Sequence, residues 1–322
     1  MSLGAASPLA SDVQVGRPVG RGIFDFFKEA DFTRTRASFR FDHAVAGFAK
    51  HPNRPVAPDT EIFLSERYGE DACFRRHDSL GVADGVGGIT QLQGGDSSMI
   101  SRKIMHYACM ELERYDNIED EAFGAYYMVD PVSILTRGYD RAAHDMKQQG
   151  IEGATTACLA VLRDDELRIA NLGDSGVLVL RRGDFVFRTE AQQRSFNVPY
   201  QLGYPTRDQP TDAQHFTVKL ERGDIVILAT DGMFDNLFDE DIIDEVTKCI
   251  RANTRGAANP VDISHALACR ARDVSEDSRY ATSPFQSRAV AEGFYYQGGG
   301  KLDDITVIVA VVSDLEDTPD RR

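Results

Sequence analysis

The spacing of apolar and polar positions divides the chain into strands and helices that do not alternate regularly. Short apolar or alternating runs bounded by turn residues predict strands, and apolar residues at helical spacing predict helices. The predicted strands lie at 38–49, 61–65, 72–74, 79–83, 156–162, 167–172, 176–180, 185–187, 216–220, 225–230 and 305–312. The predicted helices begin near 96, 130, 239 and 260. This order favours an α+β sandwich of layers whose strands pair mainly antiparallel.

No internal repeat and no break in composition divides the sequence, so a single domain is expected over 37–315. Residues 1–36 are rich in Ser, Gly and Arg and are expected to be mobile, and 316–322 form a short C-terminal tail. Gln, Asn, Pro and Gly occur without periodicity over 190–210, which predicts a long surface flap. The polar stretch 272–300 is also predicted to be irregular.

Composition and charge narrow the classes of partner. The chain is 42% hydrophobic and 27% charged, which is ordinary for a globular protein, but its formal net charge is −15. A surface this acidic repels nucleic-acid backbones and anionic membranes, so neither is expected as a partner, whereas it is compatible with bound cations. No apolar run approaches the roughly 20 residues of a membrane span, and no secretory signal is visible.

The cysteines indicate a reducing compartment. There are five, an odd number, scattered and without a Cys-x-x-Cys spacing. Most lie in apolar segments, which is typical of reduced core thiols in an intracellular protein. Neither a disulfide framework nor a zinc site is expected.

Acidic residues stand at the ends of apolar runs that are far apart in sequence. An apolar strand ends in Asp84-Gly85, and another ends in Asp231-Gly232. Asp303-Asp304 and Glu70-Asp71 precede two further strands. Any one of these is a common turn carboxylate that accepts hydrogen bonds from nearby backbone donors. Together they predict one acidic site, because an apolar run normally avoids an unpaired charge and gathered carboxylates repel unless a cation neutralises them.

Mg²⁺ and Mn²⁺ prefer oxygen ligands, which are mainly carboxylates, backbone carbonyls and water. The candidate ligands are Glu70, Asp71, Asp84, the Gly85 carbonyl, Asp231 and Asp303. Two ions held about 3.5–4 Å apart by a bridging aspartate can activate a water for attack on phosphorus. Such a site needs no serine, cysteine or histidine nucleophile.

Six segments, in their order along the chain, resemble the motif series of metal-dependent Ser/Thr protein phosphatases of the 2C type, the PPM family. They are Gly69-Glu70-Asp71-Ala72, Val82-Ala83-Asp84-Gly85-Val86-Gly87-Gly88, Gly153-Ala154-Thr155-Thr156-Ala157, Asn171-Leu172-Gly173-Asp174-Ser175, Ala229-Thr230-Asp231-Gly232-Met233-Phe234-Asp235-Asn236 and Leu302-Asp303-Asp304-Ile305-Thr306-Val307. The similarity runs from about Glu61 to Val312. Segments at 196–203 and 235–239 are most similar to the Ptc7-like branch of that family.

The resemblance implies a four-layer α/β/β/α sandwich with two central, mainly antiparallel sheets and two Mn²⁺ or Mg²⁺ ions at one edge. By motif position, Asp84 corresponds to the bridging ligand and Gly85 to the carbonyl ligand. Asp231 and Asp303 correspond to ligands of one ion, Glu70 corresponds to a ligand of the other, and Asp71 would hold a metal-bound water.

A third, weaker metal position is implied at Asp174, Asp231 and Asp235. For Asp174 the alternative is a turn residue within Gly-Asp-Ser-Gly. The two interpretations stay open at this point.

Two positions depart from the family pattern. Many 2C phosphatases carry a histidine, proposed to protonate the leaving group, where this chain has Val86. A metal-bound water or His77 could supply that proton, and the alternative for His77 is a polar turn residue. The phosphate-binding arginine is expected at Arg67, with Arg75 and Arg76 as competitors, because arginine suits bidentate phosphate contacts. An arginine near an acidic cluster can instead be an ion-pair partner.

The resemblance implies a monomeric Ser/Thr protein phosphatase with phosphoprotein substrates and with Asp84, Asp231 and Arg67 as catalytic residues. Hydrolysis would proceed by in-line attack of a hydroxide that bridges two ions. The alternative is a catalytically weak or inactive regulatory binding module on the same fold. A nuclease is disfavoured by the net charge of −15. Ptc7-like proteins are often organellar, commonly mitochondrial, but no transit peptide is visible here.

Overall fold

The computed structural model describes residues 37–51, 62–87, 95–254, 256–277 and 282–315. The predicted mobile segment 1–36 and the tail 316–322 lie outside the described residues, as does Gly88 of the Asp84 motif.

Two antiparallel sheets form the centre of the molecule. The five-stranded sheet has the order β1-β15-β14-β8-β9, and the six-stranded sheet has the order β13-β7-β6-β4-β3-β2. The strands of the five-stranded sheet are β1 (Phe39–Phe48), β8 (Gly176–Arg181), β9 (Asp184–Arg188), β14 (Ile225–Ala229) and β15 (Ile305–Asp314). Those of the six-stranded sheet are β2 (Glu66–Tyr68), β3 (Asp71–Arg75), β4 (Ser79–Ala83), β6 (Ala157–Arg163), β7 (Glu166–Leu172) and β13 (Gln214–Lys219).

Short strands occupy the predicted flap. β10 (Gln193–Ser195) pairs with β11 (Val198–Pro199), and β12 (Leu202–Tyr204) pairs with β5 (Gly153–Thr155). The flap is therefore more regular than its composition suggested, because β12 is fastened to β5.

Helices cover the outer faces of both sheets. They are α1 (Ser97–Asp116), a 3₁₀ helix (Glu121–Met128), α2 (Pro131–Gln149), the single turn α3 (Asp231–Phe234), α4 (Asp239–Ala252), α5 (Pro260–Glu276) and α6 (Pro284–Ala291). The predicted start signals are confirmed. Asp96 accepts a hydrogen bond from the Met99 amide at 3.1 Å, and Asp130 accepts one from the Ser133 amide at 3.0 Å.

Three buried apolar layers hold these elements together. One lies between α1, α2 and the six-stranded sheet, a second between the two sheets, and a third between the five-stranded sheet and α4 and α5. Fully buried examples in the three layers are Ile104, Val226 and Ile242, respectively. The predicted four-layer α/β/β/α sandwich is confirmed.

Two local predictions are wrong. The described residues 62–65 of the first predicted strand form no strand, and pairing begins only at Glu66 in β2. The stretch 272–300 is not irregular throughout, because α5 continues to Glu276 and α6 begins at Pro284. Ser283 caps α6 by accepting a hydrogen bond from the Gln286 amide at 3.1 Å, a local signal that could have been found.

Among the helices that the structure describes, none has the length and apolar character of a membrane span.

Candidate metal centre

The acidic residues meet at one edge of the two sheets because of the strand register. β3 and β4 are antiparallel, with Ala72 opposite Ala83, so Asp71 at the start of one lies near Asp84 after the end of the other. β14 and β15 are antiparallel in the same way, which brings Asp231 close to the start of β15.

Two threonines of the five-stranded sheet connect it to the carboxylate of Asp71 in the six-stranded sheet. Asp71 Oδ2 accepts hydrogen bonds from the hydroxyls of Thr230 and Thr306, each at 2.8 Å. The Thr306 amide in turn donates to Thr230 Oγ1 at 3.1 Å. This network holds together the ends of the two sheets that carry the acidic residues.

Asp84, Asp174 and Asp231 form the centre of the cluster. Each offers a carboxylate oxygen, and these oxygens all lie within 4.8 Å of one another. Burial, followed by repulsion from Asp231, raises the pKa of Asp84 well above its ordinary value. The same two causes raise the pKa of Asp174 to about 7. Carboxyls whose pKa is raised by burial and by neighbouring carboxylates lack sufficient positive charge around them, which is the condition that a bound cation relieves.

Among the residues that the structure describes, two buried carboxylate oxygens of this edge lack a hydrogen-bond partner. They are Asp71 Oδ1 and Asp231 Oδ1. Buried polar atoms without a partner are rare in proteins, since each costs about 1–3 kcal/mol. These oxygens, together with the oxygen-only donor set around them, fit a hard divalent cation.

Glu70 is held against the turn that follows Asp84. A Cβ built on Gly85 would lie 2.5 Å from the Glu70 carbonyl oxygen, and one on Gly87 would lie 3.0 Å from Glu70 Oε2. The close approach therefore requires glycine at Gly85. Asp304 Oδ2 accepts a hydrogen bond from the Glu70 amide at 2.8 Å, so Asp304 positions Glu70.

Lys301 brings a positive charge into the cluster. Its ammonium group donates a short hydrogen bond to Asp231 and lies 2.8 Å from Asp235 Oδ2 and 3.2 Å from Asp303 Oδ2. Burial alone would raise the pKa of Asp231, but Lys301 holds it below the ordinary value. Burial raises the pKa of Asp235 to about 6, although Lys301 and Arg288 oppose the shift.

The three candidate arginines separate in space. Arg67 lies opposite Ala72 in the β2–β3 pair, one position along β3 from Asp71, so its backbone is at the same end of the sheet as the acids. Because neighbouring side chains of a strand alternate between faces, Arg67 shares the face of Ala72, whereas Asp71 shares that of Tyr68. Arg75 donates to Glu66 Oε1 at 2.9 Å, and Arg76 forms a short ion pair with Asp116. Both of these lie at the other end of β3, about 13 Å from Asp71 at the usual rise per residue.

His77 follows β3 at the end of the sheet opposite to Asp84. The five residues of β4 separate it from the acidic edge, a span of about 17 Å. The suggestion that His77 protonates the leaving group is therefore wrong. Val86 occupies the family's histidine position, and its amide donates to the Ala154 carbonyl at 2.8 Å.

Sequence reasoning placed the acids but missed their supporting residues. Lys301 was not singled out, although it precedes the acidic pair Asp303-Asp304 by two residues. Thr230 and Thr306 lie within two of the motifs, which assign them no role. A possible signal was their position, each adjoining a strand end next to a candidate ligand.

The family of the chain follows from comparison with known proteins. The sequence profile of the family described as Protein phosphatase 2C matches residues 66–268. The chain belongs to the protein phosphatase 2C family. This family is metal-dependent, in agreement with the oxygen-rich edge described above.

Relatives cover most of the described fold. A protein of Xenopus laevis, named Protein phosphatase PTC7 homolog, is 34% identical over 95% of this chain and 99% of its own length. The human protein of that name is 36% identical over 78% of this chain and 81% of its own length. Probable protein phosphatase 2C 55 of Arabidopsis thaliana is 40% identical over 76% of this chain. The chain spans about half the length of the Arabidopsis relatives that it matches, 48% and 55%.

Solved structures support the same fold. The photosystem II phosphatase PBCP has a TM-score of 0.69 and 29% identity, and the match covers 85% of this chain and all of that one. The catalytic domain of the serine/threonine phosphatase PstP, solved with two manganese ions, has a TM-score of 0.54 at 17% identity over 86% of this chain. The second likeness concerns the fold alone.

Proposed function

We propose that this chain is a metal-dependent Ser/Thr protein phosphatase that hydrolyses phosphoserine and phosphothreonine in proteins, with two Mn²⁺ or Mg²⁺ ions as cofactors. The observation that carries the proposal is the set of acids at one sheet edge, with raised pKa values at Asp84 and Asp174 and a buried oxygen of Asp71 without a partner among the described residues. Membership in the protein phosphatase 2C family supports it.

The chain's own residues would divide the work as follows. By motif position, Asp84, Asp231, Asp303, Glu70 and the Gly85 carbonyl would hold the two ions. When bound, two divalent ions lower the pKa of a shared water and neutralise charge on the phosphate. Asp71 is held by Thr230 and Thr306, so its remaining oxygen is oriented to accept a hydrogen bond from a water at the centre.

Arg67 is the residue that we propose to bind the substrate phosphate. Its backbone lies at the end of β3 that carries Asp71, whereas Arg75 and Arg76 pair with acids at the far end of β3. A guanidinium at the rim of an acidic centre can hold two phosphate oxygens and offset the repulsion between substrate and carboxylates.

We further propose that residues 37–315 are the catalytic domain and that it acts as a monomer on phosphoproteins rather than on nucleic acid. The net charge of −15 supports the exclusion of nucleic acid, because an acidic surface repels phosphate backbones. An intracellular location, in mitochondria or another organelle, is proposed from the similarity to PTC7 homologues.

The test is hydrolysis of p-nitrophenyl phosphate and of phosphoserine and phosphothreonine peptides by the purified protein. We expect activity with Mn²⁺ or Mg²⁺, its loss in EDTA and its recovery on adding Mn²⁺. Activity that persists in EDTA would refute the metal mechanism. Tight binding of Mn²⁺ without turnover of any phosphopeptide would favour a regulatory binding module instead.

A further inference from the structure

Lys301 is fixed in place by its backbone as well as by its side chain. The Lys301 amide donates to Asn236 Oδ1 at 2.9 Å, and Asn236 Nδ2 donates back to the Lys301 carbonyl at 2.9 Å. Asn236 Nδ2 also donates to the Gly232 carbonyl at 2.8 Å, which ties this clamp to α3 and hence to Asp231. The position of the lysine is therefore built into the same turn that carries the candidate ligands.

The side chain of Lys301 is largely buried, with 15% of it exposed. Its ammonium contacts Asp231, Asp235 and Asp303, and it lies 5.2 Å from the centre of the Phe285 ring. An ordinary surface ion pair joins one lysine to one acid in water and contributes little. One buried ammonium shared by three acids instead neutralises part of a cluster that would otherwise repel itself.

The ammonium contacts Asp231 and Asp235, two of the three acids to which the motif series assigns a third ion, and it also contacts Asp303, which the series assigns to one of the first two. A Mg²⁺ ion bound by Asp235 would need oxygen distances of about 2.0–2.1 Å. Lys301 Nζ is already 2.8 Å from Asp235 Oδ2, so an ion on that side would meet a like charge held in the same space. Of the three acids of the implied third position, Asp231 and Asp235 are both engaged by this one lysine.

We propose that Lys301 is a built-in cation that takes the place of a third divalent ion at Asp231 and Asp235, so that the chain binds two divalent ions and no third. The inference rests on the proposed function, since it takes the two other ions as given. Lys301 is then a positioning residue. Its charge offsets the repulsion between Asp231 and Asp235 and keeps both carboxylates in place, and it does not itself touch substrate.

Metal stoichiometry tests the proposal without any measurement of turnover. Mn²⁺ binding is followed by calorimetry and equilibrium dialysis up to millimolar concentrations for the wild type and for Lys301→Met. We expect two ions in the wild type and three in Lys301→Met. Three ions in the wild type, or two in the variant, would overturn the proposal. No ion in the wild type would refute the proposed function itself, so the two failures are distinguishable.

Two further variants serve as controls. Lys50 also contacts Asp303, at 3.3 Å, but its side chain is 38% exposed, and Lys50→Met should still bind two ions. Lys301→Met combined with Asp235→Asn removes one positive and one negative charge, and it should also bind two.

Thermal unfolding gives a second readout. In EDTA, Lys301→Met should unfold at a lower temperature than the wild type, because Arg288 and Lys50 alone compensate the repulsion among its acids less fully. The double variant should recover most of the difference, and saturating Mn²⁺ should largely close it. If Lys301→Met folds only with Mn²⁺ present, its stoichiometry is measured on protein purified with the metal. An equal unfolding temperature for Lys301→Met and the wild type in EDTA would contradict the proposal.

Discussion

Two acidic clusters lie at opposite ends of β4, and they differ in how they are neutralised. His77, Asp78 and Asp116 gather their ligand atoms within 4.8 Å at one end, just as Asp84, Asp174 and Asp231 do at the other. At the first end, Asp78 Oδ2 accepts a hydrogen bond from the buried Arg163 at 2.7 Å. Burial alone would raise the pKa of Asp78, but Arg163 and other cations hold it below the ordinary value.

The contrast shows that closely spaced carboxylates are not by themselves a metal site. Arginines pair with Asp78 and Asp116, so the carboxylates at that end of β4 belong to a structural ion-pair network. At the other end the pKa values of Asp84 and Asp174 are raised, and Asp71 Oδ1 has no partner in the described part of the chain. The protein leaves this second cluster short of positive charge, which a divalent cation would supply.

The largest expected effect is a loss of phosphatase activity on substitution at the Asp84 end of β4. Asp84→Asn should lower phosphatase activity by at least about 100-fold, because even residues that only support a metal ligand typically contribute 10–100-fold. In EDTA the same variant should be more stable than the wild type, since one of several repelling carboxylates is removed. Phosphopeptide kinetics and thermal unfolding in EDTA measure both effects. Normal activity in Asp84→Asn would show that this end is not the catalytic centre.

The matched change at the other end should act on stability and not on chemistry. Asp78→Asn leaves the buried Arg163 without its carboxylate and should lower the free energy of unfolding by about 3–5 kcal/mol. Activity per folded molecule should stay near that of the wild type. Denaturant unfolding and active-site-normalised kinetics check the two parts. A large loss of turnover in folded Asp78→Asn would show that the Asp78 end of β4 also contributes to catalysis.

A smaller effect is expected from the support of Asp71. Thr306→Val keeps the shape of the buried side chain but removes the hydroxyl that donates to Asp71 Oδ2. We expect roughly 10-fold weaker Mn²⁺ binding by calorimetry, the lower end of what supporting residues of metal ligands contribute. Thr136→Val, which removes a hydroxyl that bonds only to a carbonyl within α2, is the control and should bind Mn²⁺ normally. Equal Mn²⁺ affinities in the two variants would show that Asp71 does not contribute to the metal site.

The smallest expected effect is a dependence of metal-free stability on pH. The folded-state pKa of Asp174 is raised from 3.8 to about 7, so the folded protein holds this proton more tightly than the unfolded chain. Its contribution is present at low pH and is lost as pH rises through 7. Between pH 6 and pH 8 the loss is about 1.4 kcal/mol, or about 2–3 °C in Tm for a domain of this size.

Thermal scans in EDTA measure this fall, and Mn²⁺ should suppress it by holding the carboxyl ionised. A Tm in EDTA that rises from pH 6 to pH 8 would contradict the raised pKa.

Local sequence patterns predicted the acids because each one is tied to a strand end. Asp84 and Asp231 follow apolar runs directly, and a strand that stops at a glycine turn fixes where its last side chain lies. The start of α2 at Asp130-Pro131 was predictable for the same reason, since a cap and a proline act within one turn.

The remaining features depend on contacts between distant parts of the chain. Lys301 meets Asp231 across 70 positions of sequence, and Thr306 meets Asp71 across 235. No spacing rule reaches that far. The α6 helix was missed because few of its side chains, among them Phe285 and Ala289, are buried, and its apolar face is too short to stand out in a polar stretch.

The most direct test of the central claim is an anomalous-scattering map from crystals soaked in Mn²⁺. We expect two peaks about 3.5–4 Å apart, bounded by Asp84, Asp231 and Glu70, with none at His77, Asp78 and Asp116. Peaks at the arginine-paired end of β4, or no peak beside Asp84, would contradict the account.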